Sequence, residues 1–226
     1  MLSFDANRLQ KKINAKFNDH ALLEQALTHR SIGQRNNERL EFLGDAILGF
    51  VVADEIYTRF PDVDEGVMSR LRAHLVNRES LAEMAKKLEL SDELVLGQGE
   101  MKSGGKHRSS ILSDAVEALI GAMYKDKGLI ETTSWVLAIF NDQFDALTLG
   151  TATKDPKTQL QEHLQARGIA VPVYRVVSTT GSDHNQQFKV ECQVECVTKA
   201  VHAMASSRKK AEQKAASKIL ESLLND

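Results

Sequence analysis

An all-α N-terminal region followed by a small α+β module of order αβββα is the fold that this chain of 226 residues predicts. Three observations carry that expectation. Residues 1–147 contain a single proline, Pro61, and repeat apolar residues at spacings of three and four, the period of an amphipathic helix. Residues 155–226 change to β-branched and alternating segments held between two helical ones. Between them, Thr148-Leu149-Gly150-Thr151-Ala152-Thr153 is small and polar, as a flexible linker would be. The expected organisation is therefore a helical domain over 1–147, a linker over 148–154 and an α+β domain over 155–226.

Within the first domain the pattern places helices near 5–15, 19–29, 37–59, 64–75, 78–88, 109–126 and 129–146. Asn36 and Asn37 are candidate N-caps for the long central helix, because an Asn side chain accepts from a free first-turn amide. Pro61 stops that helix. The stretch 97–110 is rich in Gly, Ser and basic residues and reads as a mobile loop, with Ser109 or Ser110 capping the helix that follows. In the second domain, Pro156 opens a helix as a first-position proline does. Strands are expected over 172–179, 187–196 and 199–205, then a final helix capped by Ser206 or Ser207.

Composition narrows the function. Apolar residues at 42 % and charged residues at 27 % suit a globular protein. The longest apolar run, Ala46 to Ala53, is too short to cross a bilayer. Met1 to Asp5 lack the basic-then-apolar pattern of a signal peptide. Two cysteines, Cys192 and Cys196, make neither a disulfide scaffold nor a four-ligand zinc site, and they share one face if both lie on a strand. A cytoplasmic setting is the expectation. The net charge of −2 hides an asymmetry: residues 151–226 hold 11 Lys and Arg against 8 Asp and Glu, while the remainder is acidic. A basic C-terminal module points towards phosphate-rich partners.

The central helix carries Glu38, Glu41 and Asp45 on one face, and a second helix carries Asp114 and Glu117 three apart. Apolar neighbours such as Leu40, Leu43, Leu112 and Val116 would strip water from these acids, which repel one another unless a cation compensates. Oxygen ligands from two helices suit Mg²⁺ or Mn²⁺. The plainer account is a solvated acidic face, and Glu65 alone is an ordinary first-turn acid. Phe42, between these acids, is either core or a contact to a second subunit.

In the C-terminal module, Ser206-Ser207-Arg208-Lys209-Lys210 sits at a helix N-terminus, where free N–H groups and the dipole attract phosphate. His184 lies in the loop after the first strand, and Gln161 and Gln165 lie one turn apart on the first helix. That set fits A-form RNA, which is read through phosphates and 2′-hydroxyls. A merely soluble basic surface is the competing account, as it is for the basic stretch Lys102 to Arg108.

The segment Asn37-Glu38-Arg39-Leu40-Glu41-Phe42-Leu43-Gly44-Asp45 resembles the signature of the ribonuclease III family. Leu27-Thr28-His29 and Ser113-Asp114-Ala115-Val116-Glu117-Ala118-Leu119-Ile120-Gly121-Ala122 resemble flanking parts of the same family, although Ala46 and Arg30 stand where Ser is frequent. The tail, including Pro156 to Glu162 and Ser207 to Glu212, is similar to a double-stranded-RNA-binding domain. The resemblance implies a helical endonuclease domain plus an RNA-binding module. It implies a homodimer that cuts double-stranded RNA with Mg²⁺, for which Mn²⁺ can substitute, leaving 5′-phosphates and 3′-hydroxyls. Precursors of ribosomal RNA and some messengers are the implied targets. Glu41, Asp45, Asp114 and Glu117 match metal-binding acids, with Asp45 and Glu117 the critical pair. Glu38 and Glu65 match supporting acids, and Phe42 a dimer-interface aromatic. Thr158, Gln161, Glu162, Gln165, His184, Lys209 and Lys210 fall where such modules touch RNA. The rival reading is a non-cleaving regulator that only binds duplex RNA.

Overall fold

Asn36 starts the longest helix. In the computed structural model of the protein, Asn36 Oδ1 accepts from the Glu38 amide at 3.0 Å, and α3 then runs over Glu38–Arg59. Asn37, the other candidate cap, is buried and makes no side-chain cap bond. Its amide instead donates to the Thr28 carbonyl at 2.9 Å. Phe60 closes the helix just before Pro61, in keeping with a proline that cannot extend it.

The described residues are 5–152, 155–181, 186–197 and 199–225. They form two compact units that divide between Ala152 and Thr153. The first unit is helical: α1 (Ala6–Lys12), α2 (His20–Ala26), α3, α4 (Glu65–Val76), α5 (Arg78–Lys87), α6 (Gln98–Lys102), α7 (Ser109–Lys127), α8 (Leu129–Ile139) and α9 (Asn141–Asp145), with short 3-10 turns between some of them. The segment Leu149–Ala152, expected within a flexible linker, is a 3-10 turn belonging to this unit.

α3 and α7 make the most extensive helix pairing. Leu40, Ile47, Leu48 and Val51 of α3 enter the same buried core as Leu112, Ala115, Val116, Leu119 and Ile120 of α7. Two glycines set how closely the backbones approach. A Cβ on Gly44 would lie 1.7 Å from the Glu117 carbonyl oxygen, and one on Gly121 would lie 2.1 Å from the Leu40 carbonyl oxygen. Neither obstacle is a side chain that can rotate away. The crossing exists only because both positions lack side chains.

Several expectations need correction. The first helix ends at Lys12 rather than near 15, because Asn14 turns into the left-handed region with φ of 49°. The helix expected over 129–146 breaks at Phe140, whose ψ of 2° leaves helical geometry and lets both Phe140 and Phe144 reach the core. The stretch 97–110 is ordered into α6 and a 3-10 turn, Gly105–His107, rather than a free loop. Gly105 permits this, since a Cβ there would press on the Glu100 backbone oxygen at 2.8 Å. Arg108, not Ser109 or Ser110, occupies the N-cap of α7.

The second unit holds α10 (Pro156–Gln165), β1 (Val173–Thr180), β2 (Gln187–Gln193), β3 (Val201–Ala205) and α11 (Arg208–Asn225). Its strands form an antiparallel sheet in the order β1-β2-β3. Both helices pack on one face of it, where Leu160, Leu164, Ala215 and Ile219 meet Cys192 and Ala203. Because β2 ends at Gln193, Cys196 leaves the strand and is exposed, while Cys192 is buried; the shared face expected for them is not formed.

Replacing Gly44 by Ala should destabilise the protein by about 3 kcal/mol or more, since backbone must move to admit the methyl group. Urea unfolding of the full chain measures this. The same change at Gly49, which has nothing near its Cβ position, should raise stability slightly through helix propensity.

Candidate active site

The close crossing of α3 and α7 brings acids from both helices together. One carboxylate oxygen from each of Glu41, Asp114 and Glu117 lies within 4.8 Å of the other two, and all three side chains are half-buried. Burial pushes all three pKa values up. For Glu117 the burial is reinforced by Asp45, Asp114 and Glu41, and its carboxyl is raised to about 8. Asp114 is raised by burial, against the Ser113 hydroxyl, the Arg78 guanidinium, the His29 ring and the Arg30 guanidinium. Asp45 sits one turn beyond Glu41 and is exposed at the rim, outside this tight trio although close enough to act on Glu117. Glu38 is also exposed; it pairs with Arg30 at 3.6 Å and accepts from Asn36 Nδ2 at 3.3 Å.

Glu41 and Asp114 open into a cleft of about 290 Å³, lined also by His29, Arg30, Asn37, Glu38, Glu100, Arg108, Ser110 and Ile111. Its wall is stitched by backbone. Thr28 bridges Val95 in a short parallel pair, and the His29 amide donates to the Val95 carbonyl at 3.0 Å. The Gly97 amide donates to Ser31 Oγ at 2.8 Å. Arg108 pairs with Glu100 at 3.0 Å. The two cleft arginines are thus engaged by Glu38 and Glu100, and among the described residues no ion pair joins either to the acid trio.

The donor set fits a hard divalent cation. Three carboxylate oxygens converge from two helices, and the burial and mutual repulsion that lift Glu117 are what such a cation would relieve. Glu65 lies elsewhere, at the start of α4, where Ser69 Oγ donates to it at 2.7 Å. It lines a separate cleft with Tyr57, Met68 and Arg72. Phe42 is not core: it is 81 % exposed, and Phe50 and Tyr57 are 56 % and 70 % exposed. Their spacing of eight and fifteen residues puts all three on one face of α3.

Sequence reasoning missed Glu100 and Ser110 as cleft residues. A lone acid in a Gly/Ser-rich stretch carries no periodic signal; only the folded turn brings Glu100 to Arg108.

In the second unit, Asp155 organises the basic end. It accepts from the Lys157 and Thr158 amides at 3.1 Å each, from Thr158 Oγ1 at 2.8 Å and from Gln213 Nε2 at 2.7 Å. Burial opposes the charge, but the bonds from Gln213 and Thr158 prevail and hold its carboxyl below the ordinary range. Lys157 Nζ and Arg208 Nε both bind Glu212, at 2.6 and 2.8 Å. These contacts lock the start of α10 beside the start of α11. Thr158, Gln161, Glu162 and Gln165 follow one face of α10 and include exposed side chains; Lys209 and Lys210 are exposed in the first turn of α11. Ser207 caps that turn through the Lys210 amide at 3.2 Å. His184 lies outside the described residues.

The fold and these two sites define a nuclease-like helical domain carrying a module for duplex RNA. Residues 19–143 match the family described as Ribonuclease-III-like, and residues 156–223 match the double-stranded RNA binding motif. The chain belongs to the ribonuclease III family. It is 52 % identical to Ribonuclease 3 of Vibrio parahaemolyticus over 97 % of both chains. It is 51 % identical to Ribonuclease 3 of Methylococcus capsulatus, over 95 % of this chain and 94 % of that one. A crystal structure of the nuclease domain of ribonuclease III from Campylobacter jejuni covers 66 % of this chain and all of its own, at 40 % identity and a TM-score of 0.61. A second structure of that domain, concerned with flexibility in a region involved in dimer formation, is 41 % identical, covers 62 % of this chain and 99 % of its own, and has a TM-score of 0.61. Among the described residues, no helix is long and apolar enough to cross a membrane.

Glu117 yields a pH prediction. A carboxyl near 4.5 in the unfolded chain and about 8 when folded binds its proton more tightly in the folded state. Its contribution to stability is complete below the lower value and is lost as pH rises through the upper one. In metal-free buffer above pH 8, Glu117→Gln should therefore be more stable than the parent, by roughly 1–3 kcal/mol after allowance for solvent screening. The difference should vanish near pH 4.5, as followed by thermal unfolding in EDTA.

Proposed function

We propose that the protein hydrolyses phosphodiesters within double-stranded RNA, using Mg²⁺, or Mn²⁺ in its place, and leaving 5′-phosphate and 3′-hydroxyl ends. It is an endoribonuclease of the ribonuclease III type. The observation that carries the metal reading is the half-buried trio Glu41, Asp114 and Glu117 on two rigidly crossed helices.

Glu41, Asp114 and Glu117, with Asp45 at the rim, would hold the cation. When bound, such a cation neutralises charge at the phosphate and makes water a better nucleophile. Glu117 must give up its proton to act as a ligand, so loading is coupled to proton release. Asp45 and Glu117 are the acids on which the chemistry depends. Asp45, open to solvent, would orient water. Glu38 steers the substrate strand from the cleft edge through its contact with Arg30. Glu65 supports substrate contact from the neighbouring cleft.

The exposed stripe of Phe42, Phe50 and Tyr57 suits a homodimer, with Phe42 at its interface. Two copies supply the two sites that a duplex cut on both strands requires. Thr158, Gln161, Glu162, Gln165, His184, Lys209 and Lys210 give the RNA-binding module its contacts to phosphates and ribose hydroxyls. The cellular role is processing of ribosomal RNA precursors and messengers in the cytoplasm. A non-cleaving regulator is not favoured, since a dimer scaffold has no use for half-buried acids that repel one another.

Labelled duplex RNA incubated with the protein and Mg²⁺ should be cut to short duplexes, and EDTA should abolish this. Glu117→Gln should lose cleavage by 100-fold or more, on the order expected for removing a metal ligand, while gel-shift binding persists. Binding by the parent without any cleavage, under Mg²⁺ and Mn²⁺ alike, would favour the regulator. Replacing Lys209 and Lys210 together by Ala should weaken duplex binding at every sequence and reduce its salt slope by about 2, as read by titration at several salt concentrations.

A further inference from the structure

His29 is fixed in one tautomer by its surroundings. It caps the 3-10 turn Arg30–Ile32, and its Nδ1 accepts from the Ser31 amide at 3.2 Å. A backbone N–H can only donate, so Nδ1 must present a lone pair. The second partner of Nδ1 is Ser31 Oγ at 2.9 Å, and that oxygen is itself the acceptor for the Gly97 amide at 2.8 Å. The Ser31 hydroxyl proton is therefore free to point at Nδ1. The single lone pair of Nδ1 is shared by the two Ser31 donors, so the neutral ring carries its proton on Nε2.

That Nε2–H has no protein acceptor among the described residues, although His29 lines the cleft beside Glu41, Asp114, Arg30 and Arg108. The ring is held from behind as well: the His29 amide is tied to Val95 at 3.0 Å, and Gly97 approaches Ser31 so closely that a Cβ would stand 2.8 Å from the Ser31 carbonyl oxygen. A directional donor has been built, oriented and left without an internal partner in the cleft where a phosphodiester must lie if the acids are to act on it. We infer that His29 is a substrate-contacting residue whose Nε2–H binds a non-bridging phosphate oxygen of the RNA strand in the cleft, with Ser31 as the residue that positions it. An acceptor-only phosphate suits a donor-only nitrogen better than a ribose hydroxyl, which would also need somewhere to place its own proton. This inference rests on the nuclease reading above.

The test uses the full chain and duplex RNA with Mg²⁺ in single-turnover cleavage. His29→Ala should slow cleavage about tenfold or more, the loss expected for a hydrogen bond to a charged acceptor. His29→Gln, whose amide nitrogen reaches the place of Nε2, should recover most of the rate. Ser31→Ala should fall between them, and thermal unfolding should be unchanged in the glutamine variant. Replacing the 2′-hydroxyls that flank the cut by hydrogen should leave the His29→Ala penalty intact. Long-range ¹H–¹⁵N correlation should show a protonated Nε2 and a bare Nδ1. The inference is overturned if Nδ1 carries the proton, if His29→Ala cleaves at the parent rate, if His29→Gln is as slow as His29→Ala, or if the penalty disappears on the 2′-deoxy duplex. Failure of the nuclease reading looks different: the parent and all variants would then be equally silent.

Discussion

The contact between the α3 and α7 backbones at Gly44 and Gly121 is the constraint on which the rest of the first unit depends. Helices that pack through ordinary side chains lie about 8–10 Å apart. Here each glycine faces a carbonyl oxygen of the other helix, so backbone meets backbone with no side chain between. Glu41 precedes Gly44 by three residues, Asp45 follows it, and Glu117 supplies the carbonyl it meets. The acids are thus close because the backbones are close. Leu40, Ile47, Val116 and Ile120 around the crossing are buried, which fixes the geometry and dries the site at once. That drying lifts the carboxyl pKa values. One structural decision therefore supplies both the convergence of the carboxylates and the burial that raises their pKa values.

Much of this was legible in the sequence because it is written with helical period. Acids spaced by three and four, set among leucines and glycines, share one face of a helix, although that spacing alone fits a solvated face as well. Two helices of that kind imply a shared site. The second unit was legible for a different reason: its change of period from helix to strand is abrupt, and Asp155-Pro156 and Ser207 mark helix starts by chemistry that the structure reproduces.

What the sequence did not reveal is set by contacts distant along the chain. Glu100 reaches Arg108 only because the Gly104-Gly105 pair turns sharply, so a stretch that reads as loop becomes a wall of the cleft. Val95 joins Thr28 and His29 across more than sixty residues. The break at Phe140 is likewise invisible in the local pattern, since it answers to the need to bury two phenylalanines rather than to a helix-breaking residue. Asn14, a residue tolerant of left-handed geometry, was a signal that could have ended the first helix earlier.

The position of the acids along their helices has one more effect. Asp45, Asp114 and Glu117 lie past the first turns of α3 and α7, Glu41 lies in the first turn of α3, and the residues packed between these helices are buried. Fraying at termini and breathing of surface turns, which make most proteins locally open many times for each global unfolding, meet this region only at its edge, at Glu41. Amides at the buried crossing around Gly44 and Gly121 should be among the slowest of the unit to exchange with solvent. The arrangement of carboxylates is therefore as durable as the domain itself, and wear at its edges leaves the centre unchanged.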